Sequence, residues 1–233
     1  MESRQRINSL CRLRPPEARL PLFIPYSQSI LMIRRIRHKL NEWAEIRDIA
    51  VSAIVLALLF AYEEENLQSL YDFPSYLLIV SLGFILHELA HRFVARKYEC
   101  RAEYKMWKEG ILLAIVIALI SNGNFLFAAP GAVVIYPRTD LWGNVRELTK
   151  KRYGLISLAG PLTNIALAGL FFAANAAAPS EIFLNGITVN IWLALFNMIP
   201  MPPLDGAKVF GWDKRIWAVV FAILAALALR FVF

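Results

Sequence analysis

Residues 74–97, PSYLLIVSLGFILHELAHRFVARK, decide the fold, because this run is apolar enough to cross a bilayer and still contains His87, Glu88 and His91. From residue 76 to residue 86 the side chains are aliphatic or aromatic, apart from one serine and one glycine. Placing ionisable side chains in hydrocarbon costs on the order of several kcal/mol, so they need a partner that offsets this cost. A metal ion is the natural partner.

The composition is typical of a membrane protein with several spanning helices. Hydrophobic residues make up 58% of the 233 residues, and several apolar runs approach the length of a span. The net charge of +7 comes mostly from segments between the apolar runs, the pattern of cytoplasmic loops, so we expect no nucleic-acid binding. Cys11 and Cys100 lie far apart and outside any CxxC motif, which argues against a disulfide framework and a thiolate metal site.

The first 31 residues form a basic tail with five arginines and four prolines. They contain no apolar run of signal-peptide length. Met32 opens a more compact basic segment and is an alternative start to Met1. We expect residues 32–233 to form a single transmembrane domain in the cell membrane, with the N-terminus on the cytoplasmic side.

The apolar runs predict an all-α polytopic membrane protein with about five to six transmembrane helices. The acidic stretch at residues 63–72 contains no lysine or arginine, so we expect it to face outward. The next span then returns to the cytoplasm, with HELAH in its inner part. Lys208, Lys214 and Arg215 mark the inner side of the last span. The expected spans start at residues 49, 74, 153, 182 and 215.

Residues 111–136 consist of two short apolar pieces separated by the turn cluster SNGN. The second piece, FLFAAPGAVVIY at residues 125–136, is rich in aromatic and β-branched residues and is broken by a Pro-Gly pair, which favours extended backbone over helix. We expect a membrane-embedded re-entrant hairpin with some β-structure, and two full crossings are the open alternative. Basic cytoplasmic loops are expected on either side, at residues 96–109 and 137–152.

The motif HELAH places two histidines four residues apart, so on a helix both imidazoles can reach one ion. Glu88 flanks that face and can reach water at the ion, which suits a general acid or base. A catalytic zinc ion has three protein ligands, so a third ligand must come from elsewhere. The only other histidine is His38, in the basic N-terminal segment. We therefore expect a carboxylate, and Asp205 is the best candidate because it follows an apolar span, in the proline-held stretch MPPLDG. We expect MPPLDG, residues 201–206, to be irregular.

The membrane topology gives an independent test of Asp205 as the third metal ligand. For Asp205 to meet His87 and His91, the span that starts at residue 182 must end on the cytoplasmic side. The chain between residues 97 and 153 must therefore cross the membrane an even number of times. A re-entrant hairpin meets this condition with both basic loops inside, so charge bias and metal geometry agree.

Three motifs resemble the site-2 protease family of intramembrane zinc metalloproteases. They are HELAH at residues 87–91, AGPLTN at 159–164 and NMIPMPPLDG at 197–206. The segment that contains them covers more than half of the chain. The sequence is similar to compact prokaryotic-type members of this family that have no PDZ domain.

The resemblance implies a zinc endopeptidase that cleaves peptide bonds within or near transmembrane segments of other membrane proteins. It implies one zinc ion held by His87, His91 and Asp205. Glu88 would be the catalytic acid and base, and Asn197 would lie close to the substrate or oxyanion. By position, residues 125–136 would belong to membrane-embedded β-structure that receives extended substrate.

Simpler interpretations stay open. Asn197 can equally cap or cross-link helices. Gly160 and Pro161 can simply kink a helix, with Asn164 bonding the backbone that the proline frees. The alternative function is a zinc transporter or a non-catalytic metal-binding scaffold, since paired His and Asp side chains also line ion pathways. The expected partners are a transmembrane protein substrate and the lipid bilayer, and the sequence is compatible with an oligomer.

Overall fold

The computed structural model describes residues 26–62, 71–137 and 148–232, with side chains from residue 42 onward. The chain divides into two units, Met1–Asn41 and Glu42–Phe233, and the contacts below belong to the second. The described helices are α1 Tyr26–Ala61, α2 Phe73–Lys97, α3 Lys108–Ile120, α4 Lys150–Ala177, α5 Glu181–Asn197, α6 Asp205–Trp212 and α7 Lys214–Phe231. The strands are β1 Cys100–Met106 and β2 Gly131–Pro137.

The described part of the chain is mostly helical, and two of its helices are long and apolar enough to cross a membrane. These are α2 with 25 residues and α4 with 28 residues, while α5 is apolar but has only 17 residues. A total of five to six spans therefore stays a prediction. The expected acidic outer loop, the expected basic tail and most of the expected loop at 137–152 lie outside the described residues.

Local sequence explains where the two long helices begin and end. Helix α2 has a proline in its first turn, where the missing N–H costs no hydrogen bond, and Arg96 and Lys97 in its last turn, where they face the negative end of the helix dipole. Helix α4 begins after Thr149, whose hydroxyl accepts a hydrogen bond from the backbone N–H of Arg152. Both helices were predicted within a few residues of their ends.

The two strands form an antiparallel sheet in which Tyr104 lies opposite Val133. The expectation of a loop at residues 96–109 was wrong, because residues 100–106 form β1. The strand alternates in burial, with Cys100, Ala102 and Tyr104 buried and charged side chains between them. The extended backbone predicted for residues 125–136 is confirmed from Gly131 onward, where β2 begins, and residues 126–129 are neither helix nor strand.

The outer edge of β1 is closed by carboxylates of α1. The backbone N–H of Tyr104 donates to Glu45 Oε1 at 2.6 Å, and that of Met106 donates to Asp48 Oδ2 at 3.4 Å. Glu45 also pairs with Arg92 of α2. Unpaired strand edges attract other chains, so among the described residues β2 is the side of the sheet where a further strand can add.

Helix α4 packs against α2, α5 and α6, and the start of α6 differs from the irregular form that was predicted. Asp205 and Gly206 are the first residues of α6 and not part of an irregular stretch. The irregular segment ends at Leu204 because the paired prolines precede it, and the chain is free to become helical after them. Asp205 is thereby fixed at the start of a helix.

Candidate metal centre

Helix α2 places His87 and His91 on one face, one turn apart. Their side chains are buried, with 3% and 1% of the residue surface exposed. The two ring centroids are 4.6 Å apart and the rings are nearly perpendicular, at 81°. Two imidazoles in this arrangement can direct one nitrogen each toward a common point.

Asp205 brings a carboxylate to the same point from the start of α6. Its Oδ2 atom lies 2.9 Å from Nε2 of His91 and 3.4 Å from Nε2 of His87. One ligand atom from each of the three residues lies within 4.8 Å of the other two. The structure therefore brings together the three side chains that the sequence predicted as metal ligands.

Hydrogen bonds on the far side of each imidazole orient the two rings. Nδ1 of His91 lies 2.7 Å from the carbonyl oxygen of Ile156, which can only accept a hydrogen bond. Nδ1 of His87 lies 2.5 Å from Oδ1 of Asn164. Each Nδ1 therefore carries a proton and donates it, which leaves the lone pair on Nε2 available to a metal.

Asn164 cannot turn its amide group around without losing hydrogen bonds. Its Nδ2 donates to Oδ1 of Asn190 at 2.9 Å and to the carbonyl of Gly83 at 3.3 Å. Asn190 is held in turn, because its own Nδ2 donates to the carbonyl of Gly186. A relay of two buried amides therefore fixes the tautomer of His87.

The arrangement fits a zinc ion by two tests. First, Nε2 of His91 is buried and makes no hydrogen bond, although Asp205 Oδ2 is near it. Second, two atoms bound at about 2.0–2.1 Å to one tetrahedral ion lie about 3.3 Å apart. Asp205 Oδ2 lies at this spacing from Nε2 of His87, at 3.4 Å, and slightly closer to Nε2 of His91, at 2.9 Å. Gly160 of α4 leaves the space for this group, because a β-carbon there would overlap Nε2 of both histidines.

Glu88 and Lys208 are the charged neighbours of the three ligands. Glu88 is 6% exposed and lies within electrostatic range of His87, Asp205 and Lys208. Nζ of Lys208 donates to Oδ1 of Asp205 at 3.1 Å. Burial opposes ionisation of Asp205, but the ammonium of Lys208 favours it and lowers the pKa of this carboxyl. Asp205 is therefore a carboxylate, the form in which it can bind a metal.

Comparison with known proteins gives the family. The chain is 41% identical over 181 residues to "Putative zinc metalloprotease MJ0611" of Methanocaldococcus jannaschii, a match that covers 76% of this chain and 88% of that protein. The chain belongs to this family of zinc metalloproteases. It is also 30% identical over 152 residues to "Putative zinc metalloprotease YwhC" of Bacillus subtilis, over 58% of this chain and 67% of that protein. The cofactor is Zn²⁺, in agreement with the two histidines and the aspartate.

Two further comparisons gave no match. No family model matches the metalloprotease sequence. No solved structure matches it either.

The sequence did not predict the residues that contact the far sides of the histidines and Asp205. In the simpler interpretation Asn164 bonds backbone freed by Pro161, but in the structure it accepts a hydrogen bond from His87. Asn164 follows Gly160 by four residues, the spacing of the two histidines in HELAH. On a helix this spacing places both residues on one face, and it was the signal that could have predicted the contact with His87. Lys208 was interpreted as the flank of a span, whereas it pairs with Asp205.

Asn197 was also predicted as a site residue, but its described hydrogen bond lies within its own helix, α5. Its Nδ2 donates to the carbonyl of Leu193, one turn back on α5, at 2.9 Å. This is the helix-bonding role that the sequence left open, and contact of Asn197 with substrate stays a prediction.

Proposed function

We propose that the protein is an intramembrane zinc endopeptidase of the site-2 protease type, which cleaves peptide bonds within or near transmembrane segments of other membrane proteins. The observation that carries this proposal is the meeting of His87, His91 and Asp205 inside a helical bundle, with two of the ligands on the candidate membrane span α2. Buried ionisable groups in such a helix are costly and usually functional.

In this proposal His87, His91 and Asp205 hold the zinc ion through Nε2, Nε2 and Oδ2. When bound, zinc acts as a Lewis acid that polarises a peptide carbonyl and makes water reactive at neutral pH. Asn164 and the carbonyl of Ile156 keep both rings in the ligating tautomer, so the residues need no rearrangement before reaction.

Glu88 is proposed as the proton carrier. It follows His87 directly, so its carboxylate flanks the face of α2 that presents the imidazoles. The carboxylate takes the proton of the attacking water and returns it to the amine that leaves as the peptide bond breaks. Burial of Glu88 among apolar helices keeps bulk water from competing for this proton.

The outer edge of β2 is proposed as the place where an extended substrate segment pairs. Trp107 donates its N–H across the sheet to the carbonyl of Pro130, at 2.8 Å. Antiparallel pairs alternate, so the N–H and C=O of Val133 point away from β1. A substrate helix must unwind before its carbonyls can react, and pairing with this edge satisfies the backbone groups that are released.

The membrane setting completes the proposal. We propose a multi-pass protein of the cell membrane with the metal site toward the cytoplasm, because basic residues mark the start of α4 and the start of α7. The substrate is a transmembrane protein, and the lipid bilayer is the solvent of the apolar helices.

A reconstituted cleavage assay tests the function. Purified protein in liposomes is mixed with a single-span model substrate, and the products are followed with and without a zinc chelator. We expect cleavage that the chelator stops and that Glu88→Gln lowers by about 100-fold to 10,000-fold with zinc still bound. Glu109→Gln, an exposed change on α3, is the matched control and is expected to cleave normally.

The opposite result favours a zinc transporter. If wild-type protein moves zinc across the liposome membrane and no preparation cuts the substrate, the peptidase proposal fails. Unchanged cleavage by Glu88→Gln would remove Glu88 from its proposed role.

A further inference from the structure

Lys208 lies at the junction of the metal centre and the sheet, and its side chain is only 14% exposed. Nζ donates to Oδ1 of Asp205 at 3.1 Å and to the carbonyl of Val133 in β2 at 3.4 Å. The same nitrogen lies 6.0 Å from the centre of the Tyr153 ring. A lysine ammonium has three N–H donors, and the two oxygen acceptors use two of them, while the Tyr153 ring lies at the limit of cation–π range.

The contact with Lys208 gives the two oxygens of the Asp205 carboxylate different neighbours. Oδ1 faces the ammonium, whereas Oδ2 faces both imidazoles. A carboxylate bound in this way offers a metal one oxygen only. Without the ammonium, both oxygens would be free to approach the ion and the group could rotate toward two-oxygen binding.

The contact with Val133 fixes where the ammonium can lie. Lys208 is one turn after Asp205 on α6, and its long side chain alone would leave Nζ mobile. The carbonyl of Val133 is a rigid acceptor on the strand, so it holds Nζ against Asp205. Outer partners of metal ligands that are fixed in this way commonly change metal affinity by about 10-fold to 100-fold.

We propose that Lys208 is a positioning residue of the metal centre, which holds Asp205 as a one-oxygen zinc ligand and ties it to the outer edge of β2. The inference rests on the proposed function in taking His87, His91 and Asp205 as the zinc ligands. It deepens that function, because the same lysine connects the zinc site to the strand where the substrate is proposed to pair.

Zinc affinity of the full-length protein in detergent tests the inference, by competition with a coloured chelator. We expect Lys208→Met to bind zinc about 10-fold to 100-fold more weakly than wild type. Lys208→Gln keeps a hydrogen-bond donor without the charge, and its zinc affinity should lie between those of wild type and Lys208→Met. Lys208→Arg keeps both and should recover most of the affinity. Lys214→Met, whose ammonium lies over the Phe210 ring, is the control and should bind zinc as wild type does.

Cobalt substitution reports the binding mode of the carboxylate. In the wild-type protein with Co²⁺ we expect the strong visible absorption of a four-coordinate ion. Lys208→Met should weaken this absorption, because Oδ1 is then free and a second carboxylate oxygen raises the coordination number. Lys208→Gln keeps a donor for Oδ1, so it should weaken the absorption less, and this smaller change remains measurable if Lys208→Met fails to fold.

Two outcomes overturn the inference. One is wild-type zinc affinity in Lys208→Met, and the other is a loss that Lys208→Arg does not recover, which would mean that Lys208 only fills space. Failure of the proposed function looks different, since the zinc series would hold while no preparation, including wild type, cleaves the model substrate.

Discussion

The metal centre and the two-stranded sheet differ in the groups that carry their proposed roles: side chains in the centre and backbone groups in the sheet. In the metal centre, side chains carry the proposed chemistry, and each proposed ligand is buried and held by a hydrogen bond or an ion pair. In the sheet, backbone groups carry the proposed role: β1 is closed by α1 carboxylates, whereas Lys208 donates a hydrogen bond to the outer edge of β2. The centre should therefore tolerate almost no substitution, whereas the exposed positions of the sheet should tolerate changes that spare its backbone.

This difference suits the proposed peptidase. Side-chain chemistry at the centre is the same for every substrate, so a rigid and specific site is an advantage. Backbone pairing at a strand edge accepts many sequences, because every residue except proline offers the same N–H and C=O groups. The substitutions below break or sharpen the contrast between the two regions.

Loss of the third ligand should have the largest effect. We expect Asp205→Ala to weaken zinc binding by more than about 100-fold, beyond what outer partners contribute. Asp213→Ala is the matched control, since Asp213 caps α7 through the N–H groups of Arg215 and Ile216. The control should cost about 1 kcal/mol of stability and leave zinc affinity unchanged. Equal zinc affinity in Asp205→Ala and Asp213→Ala would show that Asp205 is not a zinc ligand.

A methyl group at Gly160 should come next. Gly160→Ala places a β-carbon against Nε2 of both histidines, so α2 and α4 must separate before zinc can bind. We expect zinc affinity to fall on the order of 100-fold, measured by chelator competition. Gly169→Ala, on the same helix, meets nothing within 4 Å and should bind zinc normally, with stability raised by up to about 1 kcal/mol. Identical behaviour of the two alanines would show that the space at Gly160 is not needed.

Removal of the amide behind His87 should have a smaller effect. Asn164→Ala takes away the acceptor of the Nδ1 proton, so the imidazole can rotate or change tautomer. We expect about 10-fold weaker zinc binding. The control is Asn175→Ala on the same helix, where the side chain only accepts from Ser180 N. A loss in Asn175→Ala as large as in Asn164→Ala would point to a general effect on α4.

The smallest effect on zinc is expected in the sheet. Ile135→Pro removes an N–H that points to the outer edge of β2, whereas Val134→Pro removes one that pairs with Glu103. We expect Ile135→Pro to leave zinc affinity unchanged and to raise KM by about 2-fold to 10-fold through one lost substrate hydrogen bond. Val134→Pro should destabilise the protein, which thermal unfolding would show. An unchanged KM in Ile135→Pro would argue against substrate pairing at this edge.

The same contrast explains how much the sequence could predict. The grouping of His87, His91 and Asp205 could be predicted, because HELAH has a fixed helical spacing and Asp205 was the carboxylate that the topology could bring to it. Strand β1 could not, since Arg101, Glu103 and Lys105 give it the composition of a charged loop. Its period-two burial becomes visible only once α1 and α2 cover one face.

The contacts that Asn164 and Lys208 make with the metal centre could not be predicted, for a different reason. The bond from His87 to Asn164 joins positions 77 residues apart, and no local pattern states which helices approach each other. Lys208 lies one turn from Asp205, so the pair was close in sequence, but basic residues beside apolar runs are so common that the flanking role was the simpler interpretation. Packing decided between the two roles.

The most direct test of the central claim is the position of the cut. Mass spectrometry of the products released from a single-span substrate in liposomes identifies the broken peptide bond. The proposed function predicts a cut within or beside the apolar segment, made by wild-type protein and lost in Glu88→Gln. Cleavage confined to the soluble parts of the substrate, or an apolar segment that stays intact under conditions where zinc is bound, would contradict it.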